Sequence, residues 1–490
     1  MTAYDDLMAF QRETEALAQI AGRLSWDQET MMPPGAAVQR AEEMAAIETV
    51  LHARRTDPRL GEWLAAAEPA DAVAEAQLRE IRRSYDRQTK VPARLAAEIA
   101  RITSLAQGIW AEARANEDWE AFAPTLQTIV RLAREEGAAM ADGGDPYAAL
   151  LAGYEPGTSP EEIAALFDAL RPGLVSLREA ILGTEITPPA LDREFPEEAQ
   201  IALSREVAQA FGYNFAHGRI DKAVHPFSSG SGLDVRITTR TAPHDPFNCV
   251  YSTIHEVGHA TYEQAVSRDY LLTPLGQGAS MGVHESQSRI YENQLGRSAP
   301  FTAWLFGRMQ AAFGGFGVED AEAFYALVNR VEPGFIRTEA DEVHYNLHIM
   351  MRFDLERALI AGDLAVADLP DAWNARFLAD FGKAVDRPSN GCLQDVHWSV
   401  GLFGYFPTYT LGNIYAGALY AALREACPDL DTGLARGDTG AATAWLRENL
   451  QQHGALRTPA ETIRAATGQA PQVGPLLGYL GEKFGALYRL

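Results

Sequence analysis

Cysteine is scarce in this chain: Cys249, Cys392 and Cys427 are the only three among 490 residues. That number is odd and too small for a disulfide framework, which suits a reducing cytoplasm. None of the three has a neighbour at metal-ligand spacing, which argues against a thiolate-held metal. Positive charge is also short: 42 Lys and Arg stand against 66 Asp and Glu, a formal net charge of −24. That balance argues against nucleic acid or an anionic membrane as partner. No apolar run reaches the length of about 18 residues that a spanning helix needs. The N-terminal Met1-Thr2-Ala3-Tyr4-Asp5-Asp6 is acidic and lacks an apolar core, so no signal peptide is expected. Internal repeats, low-complexity tracts and an obvious interdomain linker are missing as well. What remains is 47% hydrophobic and 22% charged, enough to bury a large core. A soluble, cytoplasmic protein is expected, as two to four domains or as one large helical body.

Residues 1 to about 140 are rich in Ala, Glu, Arg, Leu and Gln, with apolar residues at helical spacing. Leu7, Phe10, Thr14, Leu17 and Ile20 form one stripe; Leu95, Ile99, Ile102 and Leu105 belong to another. Turn chemistry at Met32-Pro33-Pro34-Gly35 and Gly143-Gly144-Asp145-Pro146 separates them. Ser159-Pro160-Glu161-Glu162 is a capping start, and Pro188-Pro189 breaks the helical run that continues to about 215. The character changes near 212. Gly218-Arg219-Ile220-Asp221, His225-Pro226-Phe227 and Ser228-Ser229-Gly230-Ser231-Gly232 read as loop, and 234–240 alternates as a short strand. Nine of the 11 histidines fall between His217 and His397, which concentrates the chemistry there. After about 415 the sequence returns to Ala- and Leu-rich helices.

The centre of that window is Tyr251-Ser252-Thr253-Ile254-His255-Glu256-Val257-Gly258-His259-Ala260. Asp245-Pro246 supplies an N-cap and a first-turn proline, and Val250, Ile254, Val257 and Thr261 follow helical spacing. On a helix, positions i and i+4 share a face, so His255 and His259 can hold one zinc ion through two imidazole nitrogens. Glu256 projects beside that face, where it can take a proton from a water the ion activates. The bland alternative is a helix with two satisfied histidines. A third ligand and a supporting shell are needed to displace it.

Glu263 continues the histidine row, but one more turn displaces it by about 6 Å along the axis, too far for the same ion. Downstream, Gly276-Gln277-Gly278 forms a turn, and Ser280-Met281-Gly282 starts a second helix that ends near Gly296. Its first turns carry His284-Glu285-Ser286-Gln287. A carboxylate from a second helix completes the two-histidine, one-glutamate set of catalytic zinc sites. Glu285 is the first choice, and spacing leaves Glu292 on the same helix and His284 beside it as rivals. His344 and His348 also stand at i, i+4, but no Glu follows His344, so this pair reads as packing or as support for a ligand.

Several motifs together resemble the carboxypeptidase Taq family, the thermostable HEXXH metallocarboxypeptidases. They are His225-Pro226-Phe227, Asp234-Val235-Arg236-Ile237-Thr238, His255-Glu256-Val257-Gly258-His259 and His284-Glu285-Ser286-Gln287. Ile336-Arg337-Thr338-Glu339-Ala340-Asp341 and Gly391-Cys392-Leu393-Gln394-Asp395-Val396-His397-Trp398 follow. Trp26-Asp27-Gln28-Glu29-Thr30-Met31-Met32-Pro33 and Tyr154-Glu155-Pro156-Gly157 look like the family too, so the likeness runs nearly the whole chain. The resemblance implies a mainly α, single-body zincin-like protein with a deep groove and a small β-sheet beside the metal helix, usually a homodimer. One catalytic domain, 1–490, is then expected, with helical scaffold over 1–210, zinc site and substrate groove over 211–415, and C-terminal helices over 416–490. The implied activity is removal of single residues from peptide C-termini, with broad specificity and reluctance at proline. Zinc is the implied metal, and cobalt can substitute because the two share ligand preferences.

The remaining motifs read as follows. Strand 234–240 offers an edge on which an extended substrate can pair. Arg236 on it is either salt-bridged or a substrate contact. Arg337 stands where Thr338-x-x-Asp341 can cap a helix, and a planar guanidinium grips a terminal carboxylate bidentately. His225 and Arg236 are weaker candidates for that task, and Asp341 can orient an imidazole. Helical zinc peptidases of this build place a His and a Tyr late in the chain to donate to the oxyanion. By that likeness the pair is His397 and Tyr409, with Tyr405 as the alternative tyrosine. The rival readings are a zinc endo-oligopeptidase or dipeptidase using the same site, and a helical binding protein without metal.

Overall fold

The computed structural model describes every residue except Met1, Thr187, Ala190 and Asp192. The chain is mainly helical, with one three-stranded sheet among the described residues. The capping start at Ser159 opens the Pro160–Leu182 helix with Glu162 closing a capping box, and that helix ends before Pro188-Pro189. The N-terminal stripe buries Leu7, Phe10 and Thr14 and surfaces at Ile20. In the second stripe Leu105 is exposed and its neighbour Ala106 takes the buried position.

Contacts divide the chain into two compact units. One takes Met1–Gln88, Thr187–Asn329 and Tyr415–Pro471; the other takes Thr89–Ile186, Arg330–Ile414 and Gln472–Leu490. Each unit is drawn from three separate stretches of the chain.

The first unit holds the sheet, in the order β1 (Ile220–Lys222), β3 (Asp234–Thr239), β2 (Ser228–Ser231). β1 runs parallel to β3, and β2 antiparallel. One expectation is corrected here. The segments at 220–222 and 228–231, expected as loop, are strands. They are short and polar, with no alternation to read, and pairing with β3 is what extends them. β3 is the middle strand, with β1 along 237–239 on one side and β2 along 234–237 on the other. The β2–β3 turn needs Gly230: its φ is +95°, and a Cβ there would lie 2.0 Å from the Asp234 carbonyl oxygen.

Helix α1 (Pro246–Ala265) packs beside β3. Asp245 caps it, accepting from the Phe247 and Asn248 N–H groups, and Val250, Ile254, Val257 and Thr261 are buried, as their spacing predicts. Thr239 at the end of β3 ties to it by donating to the Cys249 carbonyl at 3.1 Å. Helix α2 (Met281–Arg289), capped by Ser280, continues into a π turn over Ile290–Leu295 and stops at Gly296. The two helices touch at Gly258, where a Cβ would lie 2.5 Å from the Gln287 carbonyl oxygen and 2.6 Å from Ser288 Cα. Only glycine permits that approach, which brings the second helix against the His255–His259 turn.

In the second unit helix α3 (Glu342–Ala361) is buried along most of its length. Its cap is Asp341, which accepts from the Val343 and His344 N–H groups, and not Thr338. Arg337–Glu339 is instead a separate 3-10 turn, held by the Gln394 side chain at the Arg337 N–H, 3.1 Å away. A 3-10 turn over His397–Val400 leads into helix α4 (Pro407–Ala426).

Candidate active site

One group of side chains in the first unit has the composition and spacing that could hold a metal ion. His255, Glu256 and His259 stand on α1, and Glu285 is the fifth residue of α2. One ligand atom from each of His255, His259 and Glu285 lies within 4.8 Å of the others, and this is the sole such group among the described residues. Glu285 Oε2 is 3.7 Å from His255 Nε2 and 3.5 Å from His259 Nε2. The other ring nitrogens point away and are engaged: His255 Nδ1 meets Glu292 Oε2 at 2.9 Å, and His259 Nδ1 meets His284 Nδ1 at 2.6 Å. The rivals Glu292 and His284 therefore stand behind the histidines. Each orients a ring whose Nε2 faces Glu285.

Electrostatics suits a divalent cation. Burial opposes ionisation of Glu285, but the Arg289 guanidinium and His255 outweigh it and hold the carboxyl well below the usual range. Arg289 Nε donates to Glu285 Oε1 at 2.6 Å, which leaves Oε2 for the histidine side. Burial pushes the His259 imidazolium down to about 3, so that ring is neutral at physiological pH. Two imidazoles and one ionised carboxylate thus fit a divalent metal that takes nitrogen and oxygen. Glu256, also buried, is pushed up to about 7 by burial.

Two supports go beyond what spacing along the chain assigns. Glu263 does not reach the ligand group. It accepts from His284 Nε2 at 2.8 Å and from the Gly278 N–H at 2.9 Å, forming a Glu263–His284–His259 chain. The signal was its place one turn beyond His259. The π turn, which seats Glu292 against His255, has no sequence signature at all.

The second unit gathers the late motifs. Arg337 is 6% exposed, and its Nε donates to Asp395 Oδ1 at 2.9 Å. Arg352 Nε takes the other oxygen at 2.6 Å. Two guanidiniums share one carboxylate, a local excess of positive charge. Burial disfavours the Asp395 anion, yet Arg352 and Arg337 outweigh it and keep it ionised. His397 Nε2 lies 3.2 Å from the Tyr409 hydroxyl, and its buried Nδ1 has no hydrogen-bond partner among the described residues. Burial, then the Arg337 charge, push His397 down to about 4, so the ring is neutral. Tyr405 lies edge-on to Tyr409, ring centroids 5.3 Å apart, and it is the Tyr409 hydroxyl that meets His397. The Arg337 guanidinium sits 5.3 Å from the Tyr409 ring. Asp395, Arg352 and the buried Glu356 were not assigned roles from sequence; ionisable groups at helical spacing in an apolar stretch were the available signal.

The other expected residues are placed as follows. Arg236 pairs with Asp234 at 2.7 Å and lies 4.4 Å from the Trp26 ring, the salt-bridged arrangement. His225 is exposed between β1 and β2. Asp341 orients His344, accepting from Nδ1 at 2.8 Å, and His344 and His348 pack on the Phe381 ring.

Comparison with known proteins follows the same line. The profile of the carboxypeptidase Taq (M32) metallopeptidases matches residues 6–484. The chain is 42% identical to thermostable carboxypeptidase 1 of Thermus thermophilus, covering 99% of each protein. It is 34% identical to carboxypeptidase 1 of Bacillus subtilis, over 99% of this chain and 98% of the relative. Among solved structures, the M32 carboxypeptidase of Deinococcus radiodurans R1 superposes with a TM-score of 0.95 at 38% identity, over 100% of both chains. With the family profile and these relatives matching along almost the full length, the chain belongs to the carboxypeptidase Taq (M32) metallopeptidases, peptide hydrolases that work with a divalent metal ion.

Proposed function

We propose that this carboxypeptidase uses zinc, held by His255, His259 and Glu285, to release single residues from the C-termini of peptides. The observation that carries the proposal is the convergence of two imidazole nitrogens and one ionised carboxylate oxygen beside a buried Glu256. When bound, zinc supplies Lewis acidity toward the scissile carbonyl and acidifies a water. Glu256 acts as general base, accepting the proton of the attacking water and passing it to the leaving amine; burial raises its proton affinity, which suits both halves of that transfer. Glu292 and the Glu263–His284 pair keep the ligand nitrogens aimed at Glu285. His397 and Tyr409 are assigned to donate hydrogen bonds to the oxyanion, supported by their mutual contact and the neutrality of the ring. Arg337 is assigned the terminal carboxylate, supported by the surplus of cation over anion that it and Arg352 create around Asp395. Cobalt shares the ligand preferences of zinc and substitutes for it.

A cytoplasmic location is supported by three cysteines that are all unpaired. Homodimerisation rests on the family resemblance alone. The endo-oligopeptidase or dipeptidase reading is not favoured, since the curated relatives are carboxypeptidases.

The test is mass spectrometry of a mixed peptide digest, with and without chelator, using free and C-terminally amidated forms. Single-residue ladders from free C-termini, abolished by chelator, are expected, with amidated peptides left intact. Internal fragments, released dipeptides or equal cleavage of amidated peptides would sink the reading.

A further inference from the structure

Glu356 is a fully buried acid that the proposed chemistry does not use. It lies on α3 with no solvent exposure and no ion pair among the described residues. Its carboxylate instead accepts from neutral donors on two other elements. Oε1 takes the Trp398 indole N–H at 2.9 Å. Oε2 takes the Gly404 backbone N–H at 3.1 Å and the Tyr147 hydroxyl at 3.0 Å.

Trp398 and Gly404 are the two ends of one loop. It leaves the 3-10 turn through Gly401 and reaches Gly404, where φ is +83° and a Cβ would lie 2.8 Å from the Leu151 nitrogen. The loop is thus pressed against the Pro146–Leu151 helix with its N–H direction fixed. His397 immediately precedes it. Tyr405 and Phe406 immediately follow, and Tyr409 lies in the first turn of α4. The His397 ring rests 4.4 Å from that of Phe406, and its Nε2 meets Tyr409 across the closed loop.

We propose that Glu356 is a positioning residue: by gripping both ends of the 398–404 loop, it holds His397 against Tyr409. The inference rests on the role proposed above for that pair. A carboxylate is the group the position requires. All three of its partners donate, and an amide or an apolar side chain would leave at least one donor unmet or facing another donor. A buried carboxylate without a direct ion pair is a costly way to fill a core. Its value here lies in spanning two donors that no single neutral acceptor can span. Misplacing a group that acts on the transition state by about 1 Å costs on the order of 100-fold in rate, so a loosened loop reads out in kcat.

The experiment uses the metal-loaded enzyme at pH 8, where Glu356 is ionised, since burial pushes its carboxyl up to about 7. Glu356→Gln, Trp398→Phe and Tyr147→Phe are compared for metal content, melting temperature, kcat, KM and hydrogen exchange over 397–406. Glu356→Gln and Trp398→Phe should lower kcat about 10- to 100-fold, with KM and metal content held, and should speed exchange over 397–406. Tyr147→Phe removes only the grip from the neighbouring helix. It should lower the melting temperature and leave kcat and that exchange near the wild type. If Glu356→Gln does not fold, Trp398→Phe decides on the same readouts. Wild-type kcat in the folded Glu356 variant, or an equal loss in Tyr147→Phe at matched stability, overturns the proposal. His397→Ala separates the two levels. If it keeps wild-type kcat, the role given to His397 fails and the positioning role falls with it. If it is impaired and Glu356→Gln is not, the positioning role alone fails.

Discussion

Replacing Glu285 and Glu292 by glutamine, one at a time, separates the metal ligand from its support. The two carboxylates sit on the same run of helix, and both touch His255 and Arg289, so a mere count of contacts does not rank them. Their positions do. Glu292 accepts from His255 Nδ1 at 2.9 Å, on the far side of the ring from Glu285. Glutamine at 292 keeps an oxygen for that hydrogen bond and loses the charge. Such outer partners of a ligand histidine are worth about 10- to 100-fold in metal affinity, or about 1.4–2.8 kcal/mol. Glu285 Oε2 faces both Nε2 atoms, and its Oε1 is fixed by Arg289 Nε at 2.6 Å. Glutamine there removes the one anionic donor of the set. It either breaks the arginine contact or turns an N–H2 group onto the two nitrogens. The loss should therefore exceed the outer-partner range, on the order of 1000-fold or about 4 kcal/mol. Zinc titration of the metal-free protein against a competing chelator of known affinity reads both values, and the zinc-induced rise in melting temperature checks them independently. If Glu292→Gln weakens zinc as much as Glu285→Gln, the ligand assignment is wrong. If neither variant weakens it, the metal lies elsewhere.

Glu256→Gln should bind zinc like the wild type and lose about 10²- to 10⁴-fold in kcat, the span of a general base; normal turnover with bound zinc would remove Glu256 from that role. Tyr409→Phe should lower kcat about 10²- to 10³-fold with little change in KM, as for single oxyanion donors, while Tyr405→Phe stays near the wild type; the reverse pattern in steady-state kinetics would exchange the two tyrosines. Arg337→Ala should lower kcat/KM on free peptides roughly 30- to 1000-fold and narrow the preference over amidated ones; an unchanged preference would show that the terminal carboxylate is read elsewhere. Asp395→Asn leaves the Arg337 and Arg352 guanidiniums buried without their shared anion, a loss of about 3–5 kcal/mol at pH 7. Because Asp395 is held below its ordinary range when folded, its contribution is full above that range and fades as pH falls below about 4, so the gap between variant and wild type should close on acidification. Urea midpoints measured from pH 7 down to pH 3 test this, and a gap independent of pH would contradict it.

The parts legible in the sequence are those whose causes lie within a few residues. Asp245-Pro246 and Ser280 mark the starts of α1 and α2 because capping is settled by the residue and the N–H groups next to it. The His255–His259 spacing alone puts two imidazoles on one face. Motif order carried the family, and with it the mainly helical fold and small sheet. Beyond that range the sequence went quiet or misled. The strands at 220–222 and 228–231 look like loop because each is too short to show a period, and only β3 between them makes them strands. The sequence left Arg236 open as a salt-bridged residue or a substrate contact, and it could not show the surroundings of His225 and Arg337. In the structure Arg236 is paired with Asp234, His225 is exposed, and Arg337 shares Asp395 with a second arginine 15 positions on. Spacing left three candidates for the third ligand, Glu285, Glu292 and His284. The choice between an oxygen that faces two Nε2 atoms and one that backs a ring depends on how α1 and α2 cross, and Gly258 lets them cross closely enough to touch backbone to backbone. Spacing along a chain fixes which face of a helix a side chain occupies. Only packing between helices fixes which atom of that side chain meets the next.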